Sequence, residues 1–168
     1  MTIVASLWPI STQTSAPVAS DGIAIATADI ASGIVTYARW PSDLRAVRLC
    51  IVGPTTMGGR IDNRRLINGQ MLATSRMTAA QWSADQCDAL YLGRTTAVER
   101  TTIIRSLTNR PILSMTDSDP QCVHGSMFCL RSVTGGVTFD LNIDAVSRSR
   151  VRVDPRVLAL ARRPGSGR

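Results

Sequence analysis

Residues 122–161 read CVHGSMFCLRSVTGGVTFDLNIDAVSRSRVRVDPRVLALA, and this stretch decides how the chain folds. Residues 126–133 and 137–142 alternate between apolar and polar side chains, which is the two-residue period of a half-buried strand. Gly135-Gly136 between them predicts a hairpin turn. Asp154 followed by Pro155 predicts the start of a last helix, because aspartate caps free amides and proline suits the first helical position. The stretch therefore predicts a hairpin, a short helix and a docking helix.

The residues before this hairpin alternate between predicted helices and strands. Apolar residues recur at helical spacing over residues 23–37, and Trp40-Pro41 ends that helix because proline pushes the preceding residue out of the helical region. Strands are predicted at residues 48–52, 70–77, 89–93 and 111–115, and helices at residues 57–66 and 96–107. This order predicts an α/β fold: a mixed, mostly parallel central sheet covered by helices on both faces, closed by the C-terminal hairpin and helix.

Length and composition predict one compact domain. A chain of 168 residues with 44% hydrophobic content can bury one sizeable core, and we place this domain at residues 21–163. Residues 1–20 are rich in Ser, Thr, Ala and Pro, which is typical of either a signal-peptide remnant or a disordered extension. Residues 164–168 contain glycine and serine and predict a flexible tail.

The basic charge favours a solvated surface over a nucleic-acid footprint. The formal charge is +7, and all the basic side chains are arginines, scattered along the chain rather than clustered. Arg148, Arg150 and Arg152 alternate and could line one face of a short extended segment. We therefore take these three arginines as the candidate contact for an acidic partner.

The four cysteines are compatible with two disulfides, with a metal site or with catalysis. Cys50 lies in a predicted strand and Cys87 just before another, and neighbouring strands can bring such positions within bridging distance. Cys122 and Cys129 are close enough to be bridged across a small loop, although with His124 they could also supply three metal ligands. Their spacing matches no paired-cysteine zinc knuckle, His124 is the only histidine, and no Cys-x-x-Cys pair is present. These observations favour disulfides over a metal site.

No catalytic or nucleotide-binding motif is complete. The segment VGPTTMGGR at residues 52–60 lies where a phosphate-binding loop would lie, but it lacks the lysine followed by Ser or Thr. A Ser-His-Asp arrangement can be drawn around His124 with Asp117 or Asp119, yet there is no nucleophile elbow. The sequence therefore predicts a protein that is not an enzyme and that uses no cofactor or metal.

Three segments carry a resemblance to a known family. VTFDLNIDAVSRSRVRVDPRVLALA at residues 137–161 resembles the C-terminal signature of the YfiR family, and IVTYARWP and LRAVRLCIVG resemble its first helix, Trp-Pro boundary and first strand. The cysteines also fit the family pattern, which implies one widely spaced pair, Cys50 with Cys87, and one pair seven residues apart, Cys122 with Cys129. The resemblance covers residues 31–162, with Asp154-Pro155 where family members often have a Ser-Ser-like pair.

The resemblance implies a periplasmic regulator. Members of the YfiR family repress an inner-membrane diguanylate cyclase by binding its periplasmic sensory part, which lowers cyclic di-GMP and biofilm formation. An outer-membrane lipoprotein can sequester the repressor, and homodimers are typical.

An alternative function is small-molecule binding, because open α/β sheets offer a crevice at the carboxyl ends of their strands, here near residues 53–56 and 93–96. Nucleic-acid binding, suggested by the basic charge, is a third alternative that we do not favour.

Overall fold

The computed structural model describes residues 19–162. The expectations for the N-terminal extension up to residue 18 and for the C-terminal tail fall outside these residues. The helices are α1 (Ala19–Thr36), α2 (Ala97–Ser106), α3 (Ile143–Ser147) and α4 (Leu158–Ala161). The strands are β1 (Ala38–Arg39), β2 (Ala46–Val52), β3 (Arg64–Arg65), β4 (Met71–Met77), β5 (Ala89–Leu92), β6 (Leu113–Thr116), β7 (Phe128–Val133), β8 (Gly136–Leu141) and β9 (Arg152–Val153).

Seven strands form one mixed sheet in the order β3-β4-β2-β5-β6-β7-β8. The pairings of β4 with β2, β2 with β5, β5 with β6 and β6 with β7 are parallel. The pairings at the two ends of the sheet, β3 with β4 and β7 with β8, are antiparallel. The predicted α/β class with a mixed sheet is confirmed. After β2 the chain forms β4 on one side of β2, and it then forms β5 on the other side. The connections therefore change direction between β2 and β5.

Alternate residues of the central strands pack into two separate cores. Leu49 and Ile51 of β2 join a large core with apolar residues of α1, whereas Cys50 and Val52 join a smaller core with Ile103 of α2. All four of these β2 residues are buried, because the carboxyl half of the strand is covered on each side. This continuous burial is typical of a central parallel strand.

The C-terminal hairpin forms as the sequence predicts. β7 and β8 pair antiparallel from Phe128 opposite Leu141 to Val133 opposite Gly136. Gly135 in the turn has a φ of 87°, a left-handed conformation that favours glycine. Asp154 caps the last helical segment by accepting a hydrogen bond from the Arg156 N–H at 2.9 Å, and the segment begins as a 3-10 turn before α4.

The helix predicted at residues 57–66 is wrong. The structure has a 3-10 turn at Gly58–Arg60 followed by β3, which pairs with the start of β4. Two adjacent glycines disfavour a helix, and Asn63 provides an alternative to helical hydrogen bonding. Its side-chain oxygen accepts hydrogen bonds from the Thr74 N–H at 2.6 Å and the Thr74 hydroxyl at 3.0 Å. The segment therefore lies along the edge of the sheet.

Candidate functional site

Three parallel strands end side by side and their loops are joined by backbone hydrogen bonds. Val52 of β2 lies opposite Met77 of β4 and Leu92 of β5. The Gly53 N–H donates to the Met77 carbonyl at 3.0 Å, and the Gly93 N–H donates to the Val52 carbonyl at 2.9 Å. These bonds continue the sheet by one residue and fix where each loop leaves it.

The loops after β2 and β5 approach so closely that both need glycine. A Cβ on Gly53 would lie 2.5 Å from the Arg94 carbonyl oxygen, and a Cβ on Gly93 would lie 2.4 Å from the Pro54 carbonyl oxygen. Gly53 also has a φ of 76°, which other residues rarely adopt. The Arg94 N–H donates to the Pro54 oxygen at 2.7 Å, so the two loops form one connected floor.

Asp117, just after β6, fills the anion-binding position of the loop after β2. Its Oδ2 accepts hydrogen bonds from the Thr56 N–H at 2.8 Å and the Met57 N–H at 2.7 Å. The Ser118 hydroxyl lies 3.1 Å from Oδ1 and donates to it. Consecutive backbone N–H groups of this kind can bind phosphate. In this chain they bind an internal carboxylate, so these two N–H groups are not available to a phosphate.

Tyr91 lies buried beside this carboxylate. Burial raises the pKa of its phenol, and the negative charge of Asp117 raises the pKa further. Because both effects oppose ionisation, Tyr91 stays protonated at physiological pH and cannot serve as a base.

A crevice of about 530 Å³ opens between the ends of β2, β4 and β5 and the start of α2. Two residues from each of the segments that the sequence predicts for small-molecule binding line this crevice: Gly53 and Pro54 from residues 53–56, and Arg94 and Thr95 from residues 93–96. Its lining residues are Gly53, Pro54, Arg76, Met77, Thr78, Ala79, Gln81, Arg94, Thr95 and Glu99.

His124 pairs with Asp119 and not with Asp117. The His124 Nδ1 lies 2.9 Å from Asp119 Oδ1, and the His124 N–H donates to Asp119 Oδ2 at 2.7 Å. Burial alone would raise the pKa of Asp119, but the hydrogen bonds from His124 and the Val123 N–H outweigh it and hold the pKa below its ordinary value. Among the described residues, no serine hydroxyl is hydrogen-bonded to this imidazole. The pair therefore has the geometry of a loop anchor and lacks the nucleophile of a catalytic triad.

All four cysteines are joined in disulfides. Cys50 is bonded to Cys87 with a Cα–Cα distance of 5.9 Å, and Cys122 is bonded to Cys129 with a Cα–Cα distance of 5.5 Å. The first bond joins β2 to Cys87, which lies two residues before β5. The second bond closes the loop that carries His124. Their sulfurs are thus committed to covalent bonds. Across residues 19–162, no three His, Cys, Asp or Glu side chains lie together as a metal site.

The three candidate arginines do not share one extended segment. Arg148 ends α3, and its guanidinium lies 2.5 Å from Asp144. The Arg150 N–H donates to the carbonyl of Arg110 at 3.3 Å in a loop outside the sheet. Arg152 alone lies in a strand, β9, where it faces Arg39 of β1. The expectation of a single extended face is therefore wrong, because Arg148 is the helical C-cap residue of α3 and only Arg152 lies in a strand.

Sequence reasoning missed two residues that shape these surfaces. The sequence offers Asp117 only as a partner of His124, but its position directly after a strand is a signal that it lies at the carboxyl edge of the sheet. No local pattern points to Arg39, because its proximity to Arg152 arises from pairing between segments that are far apart in the chain.

Within residues 19–162, no helix has both the length and the apolar content needed to span a bilayer. The fold and the site together define a small α/β domain with two disulfides, a crevice at the carboxyl edge of its sheet and exposed arginines. The chain belongs to the YfiR/HmsC-like family, whose family model matches residues 25–162, from within α1 to the end of α4. This family is regulatory rather than catalytic, is periplasmic, and suggests a regulator of cyclic di-GMP signalling for this chain.

Proposed function

We propose that this protein represses an inner-membrane diguanylate cyclase by binding the periplasmic sensory part of the cyclase, and that it thereby lowers cyclic di-GMP and biofilm formation. Family membership over residues 25–162 is the observation that carries the proposal. The two disulfides support it, because disulfides persist in oxidising compartments such as the periplasm.

Exposed arginines near the C-terminus are the proposed contact with the cyclase. Arg150 and Arg152 are exposed, and neither forms an ion pair with a carboxylate in the described part of the chain. Arg152 faces Arg39 directly across the β1–β9 pair. Like charges opposite each other in a strand pair repel, so an acidic segment of a partner would relieve a cost that the free protein bears. Arg148 contributes less, because Asp144 already neutralises it.

The proposal is tested by co-expression with a membrane diguanylate cyclase from the same genome that carries a periplasmic sensory part. We expect this protein to lower cellular cyclic di-GMP, measured by mass spectrometry, and to bind the isolated sensory part in a pull-down. Charge reversal at Arg150 and Arg152 to Glu should abolish both effects. Arg148→Gln should weaken them less, since Asp144 already pairs with this arginine.

A matched control reverses two arginines elsewhere on the surface, Arg65→Glu with Arg100→Glu, which should leave repression intact. An equal loss of repression in both double variants would contradict the proposed contact, but it would not contradict repression by the wild-type protein. If no cyclase from the genome responds to the wild-type protein, repression itself is refuted.

We also propose that an outer-membrane lipoprotein sequesters this protein and that this protein forms homodimers. Addition of the lipoprotein's soluble part should release the sensory part from the pull-down. Light scattering should give the mass of two chains at micromolar concentration, and a monomer mass would refute the dimer.

A second candidate function is the binding of a small molecule at the carboxyl edge of the sheet, which the crevice of about 530 Å³ favours.

A further inference from the structure

The crevice lies at the point where the connections of the sheet reverse. After β2 the chain runs to β4 on one side, and after β5 it runs to β6 on the other, so the two connections lead away from each other beyond the point where their loops touch. Ligands of open α/β sheets bind at such switch points. The volume of about 530 Å³ falls within the range of small-molecule sites, roughly 300 to 1,000 Å³.

The floor of the crevice is fixed by the backbone. Gly53 and Gly93 bring their loops into direct contact, and the N–H groups of Gly53, Gly93 and Arg94 are already used in bonds between the loops. Asp117 occupies the amides of Thr56 and Met57. A ligand must therefore be recognised by side chains and not by these backbone donors.

One charged side chain in the crevice lacks a partner. Arg94 is exposed and, within residues 19–162, forms no ion pair with a carboxylate. The Thr95 hydroxyl oxygen next to it is buried and has no hydrogen-bond partner among the described residues. Arg76 differs, because its Nη2 donates to the carbonyls of Gly58, Gly59 and Ile61 at 3.1 to 3.2 Å. An anionic oxygen of a ligand would pair with the Arg94 guanidinium, whereas the Thr95 oxygen has almost no accessible surface and lies out of reach of a ligand.

Glu99 limits how much negative charge the ligand can carry. Hydrogen bonds from the Thr96 N–H and hydroxyl, at 2.8 and 2.9 Å, lower the pKa of Glu99, so the crevice contains a carboxylate at neutral pH. Polyphosphates would be repelled by this charge. Pro54, Met77 and Ala79 add an apolar part to the lining, which suits a hydrocarbon body.

We propose that this crevice binds a small organic acid with a single negative charge, whose carboxylate contacts Arg94 and whose apolar body contacts Met77 and Ala79. The inference does not depend on repression of a cyclase, because it concerns a different surface and a different ligand.

Hexanoate is the probe, and ¹⁵N-labelled wild-type protein is the reporter. Titration should produce saturable shifts in the amide resonances of Gly53, Thr95 and Ala97, with little change on the β1–β9 pair. n-Hexanol, which has the same apolar body without the charge, should give no saturable shift. Pyrophosphate should bind more weakly than hexanoate.

Three variants test the contacts. Arg94→Gln should weaken hexanoate binding by about tenfold or more, because it removes a charged hydrogen-bond donor. Arg100→Gln, a nearby arginine on α2 that does not line the crevice, should leave the affinity unchanged. Thr95→Val should raise the melting temperature and leave the affinity unchanged, since it removes a buried hydroxyl that has no partner and that a ligand does not reach.

The proposal is overturned if hexanoate gives no saturable shift, if the shifts map to another surface, or if hexanol binds as well as hexanoate. Equal weakening in Arg94→Gln and Arg100→Gln would indicate non-specific charge attraction and would overturn it too. Because Arg94 is exposed, its variant should keep the dispersed spectrum of the folded protein, which the same titration verifies.

Discussion

Removal of the Cys50–Cys87 disulfide should destabilise the protein more than removal of the Cys122–Cys129 disulfide. The first bond closes a sequence separation of 37 residues and the second a separation of 7. The chain-entropy relation assigns about 4 kcal/mol to the longer loop and about 2.5 kcal/mol to the shorter one. The expected difference is therefore about 1.5 kcal/mol from the unfolded chain alone.

Packing acts in the same direction. Cys50 and Cys87 are only 1% and 3% exposed and belong to the core beside α2, so replacing both with alanine also removes buried sulfur contacts. Cys122 lies at intermediate exposure, and its loss removes fewer contacts. The shorter disulfide should instead control the local order of the loop that holds Asp119 and His124.

The assay is urea unfolding of the two double Cys→Ala variants, followed by circular dichroism. Each variant lacks one disulfide and contains no new free thiol. The slope of unfolding free energy against urea should rise in both variants, because the denatured chain becomes less compact. Hydrogen exchange should show faster exchange of the His124 amide in the variant without Cys122 and Cys129. An equal or larger loss of stability in that variant would refute the argument from loop length and burial.

Three further predictions concern the carboxyl edge and the last helix. Asp117→Asn should lower the free energy of unfolding by about 1 to 3 kcal/mol in urea titration, because a charged acceptor of two backbone N–H groups becomes neutral; an unchanged midpoint would contradict its role in holding the loop. Gly53→Ala should cost about 1 to 3 kcal/mol in the same assay, since its φ is 76° and the added Cβ would meet the Arg94 oxygen; a neutral result would mean that the two loops can separate freely. Hydrogen bonds from Arg156 lower the pKa of Asp154 from 3.8 to about 2, so this carboxylate stabilises the folded state above pH 3.8 and its contribution disappears as the pH falls through about 2. Carboxyl NMR titration of Arg156→Gln should return the pKa of Asp154 toward its ordinary value, and no change would contradict the pairing.

The sequence determined most of the elements because their signals are local. The alternation along β7 and β8 and the Asp154-Pro155 start of the last segment each depend on residues within a few positions of one another. Such signals act before any tertiary contact forms, and the structure contains each of these features. The family resemblance also came from linear motifs, and the family model matches over nearly the same residues.

The tertiary structure decided those contacts and surfaces that bring together distant parts of the chain. Residues 57–66 lie along a sheet edge because β4, which includes Thr74, provides the hydrogen-bond partners of β3 and Asn63. Asp117 and Thr56 are 61 positions apart in the sequence. They meet only because β6 and β2 end at the same edge of the sheet. The crevice beside Arg94 likewise exists only where three separate loops meet. A linear pattern specifies local hydrogen bonds and buried faces, whereas the neighbours of a loop are set by the order of strands in the sheet.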